Sequence, residues 1–309
     1  MELAWLEDFL ALVDLGSFSR AADHRNVTQP AFSRRIRHLE NWVGAPLFDR
    51  STHTVTLTPA GKHFRLVAEE ALRRLYLGRE EVREVMDSAA GTLRFASTHV
   101  LSLTFFPSWL RRIEARSGLN AAVRLVADNM AACERIMLQG QAQFLLCHHH
   151  PAAKTLLESR QFQSLHLSED LLMPVSAPRA DDPHTPRFAL PGAPEEQVPH
   201  LAYSVESGMG RIVEASQVTS RAAASLRTAF VSHMAGVLVA LARDGRGVTW
   251  APLSLIRDDL AAGRLLRAGP ESWDVAIEIR VFRPRIRQSA AAERFWSLVI
   301  ESSKEAAPD

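Results

Sequence analysis

The sequence predicts an α/β chain in two parts: an N-terminal winged helix-turn-helix with a long linker helix, then a two-lobed α/β module. Three observations predict it. Helix start and stop residues crowd the first 60 positions around one cationic helix. Apolar residues from Phe64 to Val85 keep a 4-3-4-3-4-3 spacing. Beyond Gly91, short apolar strands alternate with helical segments, as in a parallel sheet covered on both faces.

Each element has a local cause. Leu3, Leu6, Phe9, Leu10 and Val13 recur at helical spacing, and Gly16 stops that helix. Ser17 is a good N-cap for a short second helix whose Ala21 and Ala22 permit close helix approach. Thr28-Gln29-Pro30 opens a third helix, with a capping hydroxyl and a proline in the first turn. Its stripe of Phe32, Ile36, Leu39 and Val43 runs to Gly44. Residues 49–57 alternate as a small hairpin or wing would. Thr58-Pro59 caps the long helix, whose seam of Phe64, Ala68, Ala71, Leu75, Gly78, Val82 and Val85 suits a partner helix or its own domain.

In the second part, strands are expected at Thr92–Ala96, Ala122–Val126, Phe144–Cys147, Leu201–Val205, Val248–Ala251 and Asp274–Phe282. Helices are expected at Leu101–Ala115, Met130–Leu138, Met234–Arg243 and through Phe295, Trp296 and Ile300. Six prolines from Pro178 to Pro199 mark an extended surface segment. A cleft between two such lobes is where open α/β sheets bind ligands.

Composition narrows the function class. The 36 Lys+Arg and 35 Asp+Glu of the 309 residues give a net charge of +1, which excludes a uniformly basic nucleic-acid coat or an acidic tail protein. Lys62, Lys154 and Lys304 are the only lysines, so 33 of the 36 cations are arginine. The acidic start lacks a secretory n-region, and no apolar run approaches the roughly 18 residues of a membrane span, so a cytoplasmic protein is expected. Two cysteines, Cys133 and Cys147, argue against a disulfide framework.

Charge is concentrated where it matters. Residues 20–37 hold Arg20, Arg25, Arg34, Arg35 and Arg37 against Asp23, a local +4, while residues 1–60 sum to −1. Two helices joined by a short connection, the second polar at its start and cationic, describe a helix-turn-helix reader of double-stranded DNA. Gln29 suits a paired contact with adenine and Arg34 one with guanine. Thr28, Pro30 and Ser33 complete the helix start, Arg37 lies one turn on, and Arg50 and His53 sit where a wing meets the DNA backbone. Arg35 and Arg37 point elsewhere around the helix, so at least one of these arginines is solvated or bound between helices.

These residues carry a resemblance. Gly16-Ser17-Phe18-Ser19-Arg20-Ala21-Ala22, Thr28-Gln29-Pro30-Ala31-Phe32-Ser33-Arg34-Arg35-Ile36, Leu47-Phe48-Asp49-Arg50 and Leu57-Thr58-Pro59-Ala60-Gly61 resemble the N-terminal signature of LysR-type transcriptional regulators. The resemblance implies a winged helix-turn-helix over 1–58, a dimerising linker helix over 59–88 and a periplasmic-binding-protein-like effector module over 91–309. Lobe I would take about 91–163 and 268–303, and lobe II about 164–267. It also implies a homodimer, commonly paired into a tetramer, without a cofactor, a metal or a catalytic activity. Arg25 departs from the pattern, standing where the family usually has leucine, and Gln141–Cys147 departs from the usual Gly-x-Leu-Asp strand entry. The run from Arg25 to Ile36 is most similar to the hypochlorite-responsive subgroup.

The same resemblance places an effector between the lobes. Ser97, Thr98, His99 and Ser102 follow the first strand, and Ser204, Gly208 and Met209 lie opposite. Such hydroxyls serve equally as anion contacts or as plain N-caps. The subgroup implies sensing by methionine oxidation, with Met209, flanked by glycines and so poorly shielded, ahead of Met130 and Met234. A small carboxylate in the cleft is the alternative. A cleft or surface role is expected for His148-His149-His150, since adjacent residues on a strand cannot all ligate one metal. An enzyme or transport-type binding protein on the same lobes leaves residues 17–61 unexplained and lacks a catalytic set.

Overall fold

Helix α1 (Leu3–Leu15) ends at Gly16, as its stop residue predicts. It packs with α2 (Phe18–His24) and α3 (Gln29–Val43), followed by an antiparallel hairpin of β1 (Phe48–Asp49) and β2 (Thr56–Leu57) and by α4 (Pro59–Met86). The computed structural model describes residues 1–49, 55–86, 91–117, 121–157, 161–192, 197–218 and 226–305. They fall into two units, Met1–Asp87 with Leu138–Gln141 and Ser88–Met137 with Ala142–Asp309. Arg50 and His53 lie outside the described residues.

In the first unit, Leu6, Phe9 and Leu12 of α1, Ala21 and Ala22 of α2, and Phe32, Ile36 and Leu39 of α3 bury into one core. The apolar stripes read from the sequence are the surfaces that meet. Two expected caps are absent as hydrogen bonds: neither Ser17 nor Thr28 caps through its side chain. At Thr28, Pro30 in the second helical position removes one of the two N–H groups that a cap could accept from. Thr58 does cap, its Oγ1 accepting from the Gly61 N–H at 3.0 Å. Gly61 is required there, since a Cβ would sit 2.1 Å from the Leu47 carbonyl oxygen.

The expected seam of α4 divides. Phe64, Ala68 and Ala71 pack into the unit's own core, because the first turns of α4 roof the three-helix layer. Leu75 and Val82 remain 56% and 65% exposed, with Leu66 and Val67 also open. The Val85 side chain is outside the described set.

The second unit contains, in order, β3 (Leu93–Thr98), α5 (His99–Thr104), α6 (Phe106–Ser117), β4 (Val123–Asp128), α7 (Met130–Leu138), β5 (Phe144–His149) and β6 (Phe162–Ser176). There follow β7 (Val198–Tyr203), α8 (Gly208–Ala215), β8 (Leu226–Ser232), α9 (Ala235–Arg243), β9 (Thr249–Pro252) and α10 (Leu253–Ala261). The chain closes with β10 (Leu266–Arg267), β11 (Val275–Pro284) and α11 (Ala290–Glu305).

The sheet is mixed, not purely parallel as expected. Its order is β10-β6-β11-β5-β3-β4, with β9 also on β6. Strands β4, β3 and β5 run parallel, whereas β11 is antiparallel to both β5 and β6. Strands β7 and β8 form a separate parallel pair. The helix expected over Leu101–Ala115 is two helices broken at Phe105, because Pro107 cannot continue the first one.

Among the described residues one core gathers Phe95, Trp109, Phe144 and Phe295, a second Leu172, Met209, Ile212 and Trp250, and a third Val175, Leu201, Leu238 and Ile256. Strand β11 serves the first two, giving Ile279 and Val281 to the first and Val275 and Ile277 to the second. Its ladder with β6 runs from Pro284↔Phe162 to Val275↔Leu172 and slips register between Ile279 and Arg280, within the stretch that serves the first core. Among the described residues no helix is long and apolar enough to cross a membrane.

Candidate nucleic-acid interface and ligand cleft

On α3 the buried stripe fixes what the other face presents. With Phe32, Ile36 and Leu39 inward, helical spacing groups Gln29 with Ser33, Pro30 with Arg34, and Ser33 with Arg37. Thr28, Gln29, Pro30, Arg34 and Arg37 are exposed, and Ser33 is partly so. The other arginines of the cationic segment are engaged elsewhere. Arg20 donates to the Leu15 carbonyl at 2.6 Å, Arg35 to Asp8 at 3.2 Å, and Arg25 to both Asp8 and Glu7. The outward face is therefore a strip of polar side chains with two guanidinium groups, Arg34 and Arg37, that have no ion-pair partner among the described residues, a form suited to a major groove.

In the second unit, four helices begin around one cleft: α5 after Thr98, α7 after Asn129, α8 after Ser207, and α9 at Ala235. Helix starts carry unpaired N–H groups and a partial positive charge. Ser207 and Asn129 are ordinary caps, accepting from the N–H groups of Gly210 at 3.3 Å and Ala132 at 3.0 Å. Thr98 is different: its side chain makes no cap, and its buried Oγ1 has no partner among the described residues. The cleft has room for about two water molecules at its floor and opens to solvent.

His148 also lines the cleft and belongs to a buried cluster. Its Nε2–H donates to Asp170 at 3.0 Å, and the Ser254 hydroxyl donates to the same carboxylate oxygen at 2.5 Å. The other oxygen accepts from the N–H groups of Leu171 at 2.8 Å and Ser254 at 3.1 Å. Burial opposes the charge on Asp170, but the hydrogen bonds from His148 and Ser254 more than offset it and hold its pKa below the ordinary value. The opposite ring nitrogen, His148 Nδ1, is buried with no partner among the described residues.

The two sides of the cleft are tied together. A Cβ on Gly208 would lie 3.2 Å from Met130 Cβ, and the Ala131 N–H donates to the Glu206 carbonyl at 3.3 Å. Glu134 on α7, 1% exposed, accepts from Arg211 on α8 through both oxygens at 3.0 and 2.9 Å. Thr155 Oγ1 and the Leu156 N–H complete that carboxylate at 2.7 and 3.0 Å.

Comparison with known proteins decides what these two sites belong to. Residues 3–62 match the family of bacterial regulatory helix-turn-helix proteins, lysR family, and residues 86–304 match the LysR substrate binding domain. The chain belongs to the LysR-type transcriptional regulators. That family is one of regulators, not enzymes. This LysR-type regulator is 33% identical over 296 residues to the transcriptional regulator YjiE of Escherichia coli K12, covering 96% of this chain and 93% of that protein. It is similar to the full-length structure of HypT from Salmonella typhimurium, a hypochlorite-specific LysR-type regulator (32% identity, TM-score 0.60, 98% and 99% of the two chains). The HypT regulatory domain is also known with bromide bound (27% identity, TM-score 0.58, 70% and 97%). A third relative is Vibrio fischeri DarR in complex with DNA (31% identity, TM-score 0.58, 97% and 98%).

Within the regulator, the effector residues expected from the sequence separate. Thr98, His99, Gly208, Met209 and Met130 line the cleft. Ser97, Ser102, Ser204 and Met234 are not among its lining residues. Ser97 and Ser102 donate instead to the Thr98 and His99 carbonyls. Met209 is not poorly shielded, as its glycine neighbours led us to expect: it is 7% exposed, because α8 turns it into a core with Ile212 and Trp250. Met130 is 4% exposed, whereas Met234 is open at 38%.

The histidine run gives no sign of which ring turns inward, and β5, extending to His149, carries His148 inside. Sequence reasoning missed Asp170 and Ser254 altogether. Among the described residues no group of three or more His, Cys, Asp or Glu side chains could hold a metal ion. Both cysteines are buried, and burial raises the thiol pKa of Cys133 to about 12 and that of Cys147 further, so neither is a ready thiolate.

Proposed function

We propose that this LysR-type regulator reads double-stranded DNA with Thr28, Gln29, Pro30, Ser33, Arg34 and Arg37 of α3. Arg50 and His53 on the wing meet the backbone. It works in the cytoplasm as a homodimer joined through the exposed part of α4, with dimers pairing into tetramers. Its switch is a small oxidant of the hypochlorite class that reaches Met209 in the cleft.

The observation that carries the oxidant reading is the pairing of two thioethers, Met209 and Met130, with two unpartnered buried polar atoms, Thr98 Oγ1 and His148 Nδ1, around a very small space. Hypochlorous acid is small enough, donates a proton to a nitrogen lone pair and accepts one from a hydroxyl. It transfers chlorine to the thioether with release of hydroxide, and water then displaces chloride. The net change is thioether plus hypochlorous acid to sulfoxide, chloride and a proton. A sulfoxide in an apolar core lacks hydrogen-bond partners, so the oxidised helix α8 favours a different arrangement. Such preference for one of two arrangements is what a switch requires. The likeness to hypochlorite-specific HypT, known with bromide bound, supports the same reading.

The test pairs peptide mass spectrometry after mild hypochlorite with promoter output from Met209→Ile. Sulfoxide at Met209 and loss of response are expected. A full response in that variant removes Met209 as the switch.

The four helix starts and the Thr98 hydroxyl favour a second reading, a small carboxylate held as an anion. A rise in melting temperature with a small carboxylate, in a broad panel, supports it, and no rise in any counts against it.

A further inference from the structure

Arg25 stands in the turn between α2 and α3, followed by Asn26 in the left-handed region at φ 53°. The LysR-type signature usually has leucine at this position. Here the side chain folds back onto α1. Its Nε donates to Asp8 Oδ1 at 2.8 Å and its NH2 to Glu7 Oε2 at 2.5 Å. Asp8 is 0% exposed, an unusual place for a carboxylate, and its second oxygen accepts from Arg35 of α3 at 3.2 Å. Glu7 in turn accepts the hydroxyl proton of Tyr76 on α4.

One chain of hydrogen bonds therefore runs Tyr76–Glu7–Arg25–Asp8–Arg35 and joins three helices, α4, α1 and α3, through the turn after α2. A leucine in the turn would hold it by packing, which tolerates sliding. Directional bonds to a buried carboxylate do not, because a small rotation of α3 leaves Asp8 partly unpaired. The network also accounts for the charge pattern of the first 60 residues. Two of their acids neutralise two of the arginines in the cationic segment, which removes Arg25 and Arg35 from the positive surface and leaves Arg34 and Arg37 facing out.

We propose that Arg25 is a positioning residue for DNA recognition: through Asp8 and Glu7 it fixes recognition helix α3 against helix α4, and so sets which duplex the outward face of α3 fits. It makes no phosphate contact of its own. The consequence is a separation of effects. Loss of Arg25 reduces discrimination between sequences without changing the number of counterions released, since no cation leaves the DNA.

The experiment uses the full-length protein, a duplex selected by the wild type from a random pool, and an unselected duplex of equal length, each over a salt series. Arg25→Leu is expected to lose about tenfold on the selected duplex with an unchanged salt slope, because a buried pair has lost one member. Arg25→Lys keeps the charge but not the fork, and is expected to lose discrimination too. Tyr76→Phe removes one hydroxyl far along the chain from the turn and is expected to cost about fivefold in the ratio of the two affinities. Should Arg25→Leu fail to fold, the other two variants carry the test. A salt slope reduced by about one in Arg25→Leu, or full wild-type behaviour in Arg25→Lys, makes Arg25 a phosphate contact and overturns the proposal. An unchanged affinity ratio in Tyr76→Phe overturns it as well.

Discussion

Replacing Arg211 with leucine isolates the tie across the ligand cleft. Glu134 is buried and keeps only Thr155 and the Leu156 N–H once Arg211 is gone. It loses two charge-assisted bonds at 2.9 and 3.0 Å together with its countercharge. Removing one member of a fully buried pair costs about 3–5 kcal/mol. The Arg211 side chain is 27% exposed, so solvent screens part of the attraction and about 2–3 kcal/mol is the better figure. In a unit of this size each kcal/mol moves the midpoint by about 2–4 °C, so Arg211→Leu should lower it by about 4–12 °C. Glu134→Gln combined with Arg211→Leu should recover most of the loss, because no buried charge is left unpaired. Thermal denaturation of wild type, both single variants and the double variant measures this coupling. A fall below about 2 °C in Arg211→Leu, or strictly additive losses, refutes the reasoning.

Other consequences are as direct. Phe95 meets the rings of Phe106, Phe144 and Phe295 at 5.0, 5.1 and 5.3 Å and is 1% exposed, so Phe95→Ala should cost about 3–5 kcal/mol in urea melts. His200, packed against Trp250 at 5.6 Å, has its pKa lowered by burial to about 4. Below its ordinary value of 6.5 the unfolded chain takes up a proton that the folded chain refuses, so stability falls as the pH drops from 6.5 towards 4. The total is about 2 kcal/mol after allowance for partial exposure, and His200→Phe should flatten that part of a pH series of urea melts.

The helices of the first unit were legible because their boundaries are written in single residues: Gly16, Pro30 and Gly44 act through local backbone geometry. The sequence also marked the outward strip of α3, since a helix with a known buried stripe has only one other face. The longest strand, β6, was missed. Its outward polar residues His166, Ser168 and Glu169 and its internal Pro174 interrupt any apolar run, and its stability comes from pairing with β11 more than 100 positions away. The Asp170 cluster was invisible for a similar reason, since its partners His148 and Ser254 lie 22 and 84 positions away. The glycines around Met209 were misleading. A glycine lacks side-chain cover of its own, but at Gly208 the missing Cβ admits Met130, and at Gly210 a Cβ would lie 2.6 Å from the Ser204 carbonyl oxygen, so the chain packs closely around Met209. Arg25 carried the opposite lesson: a departure from the family pattern pointed to the one turn residue whose contacts need the structure to be seen.

The central claim, that the outward face of α3 reads base edges, is tested most directly by competition binding. Wild type, Gln29→Ala, Arg34→Ala and Arg50→Ala are each titrated against a duplex selected from a random pool and against an unselected one at fixed salt. Gln29→Ala and Arg34→Ala should each lose about 1–3 kcal/mol on the selected duplex and far less on the unselected one. Arg50→Ala should weaken both alike. Equal losses on both duplexes for all three variants would contradict the assignment of α3 as the reader.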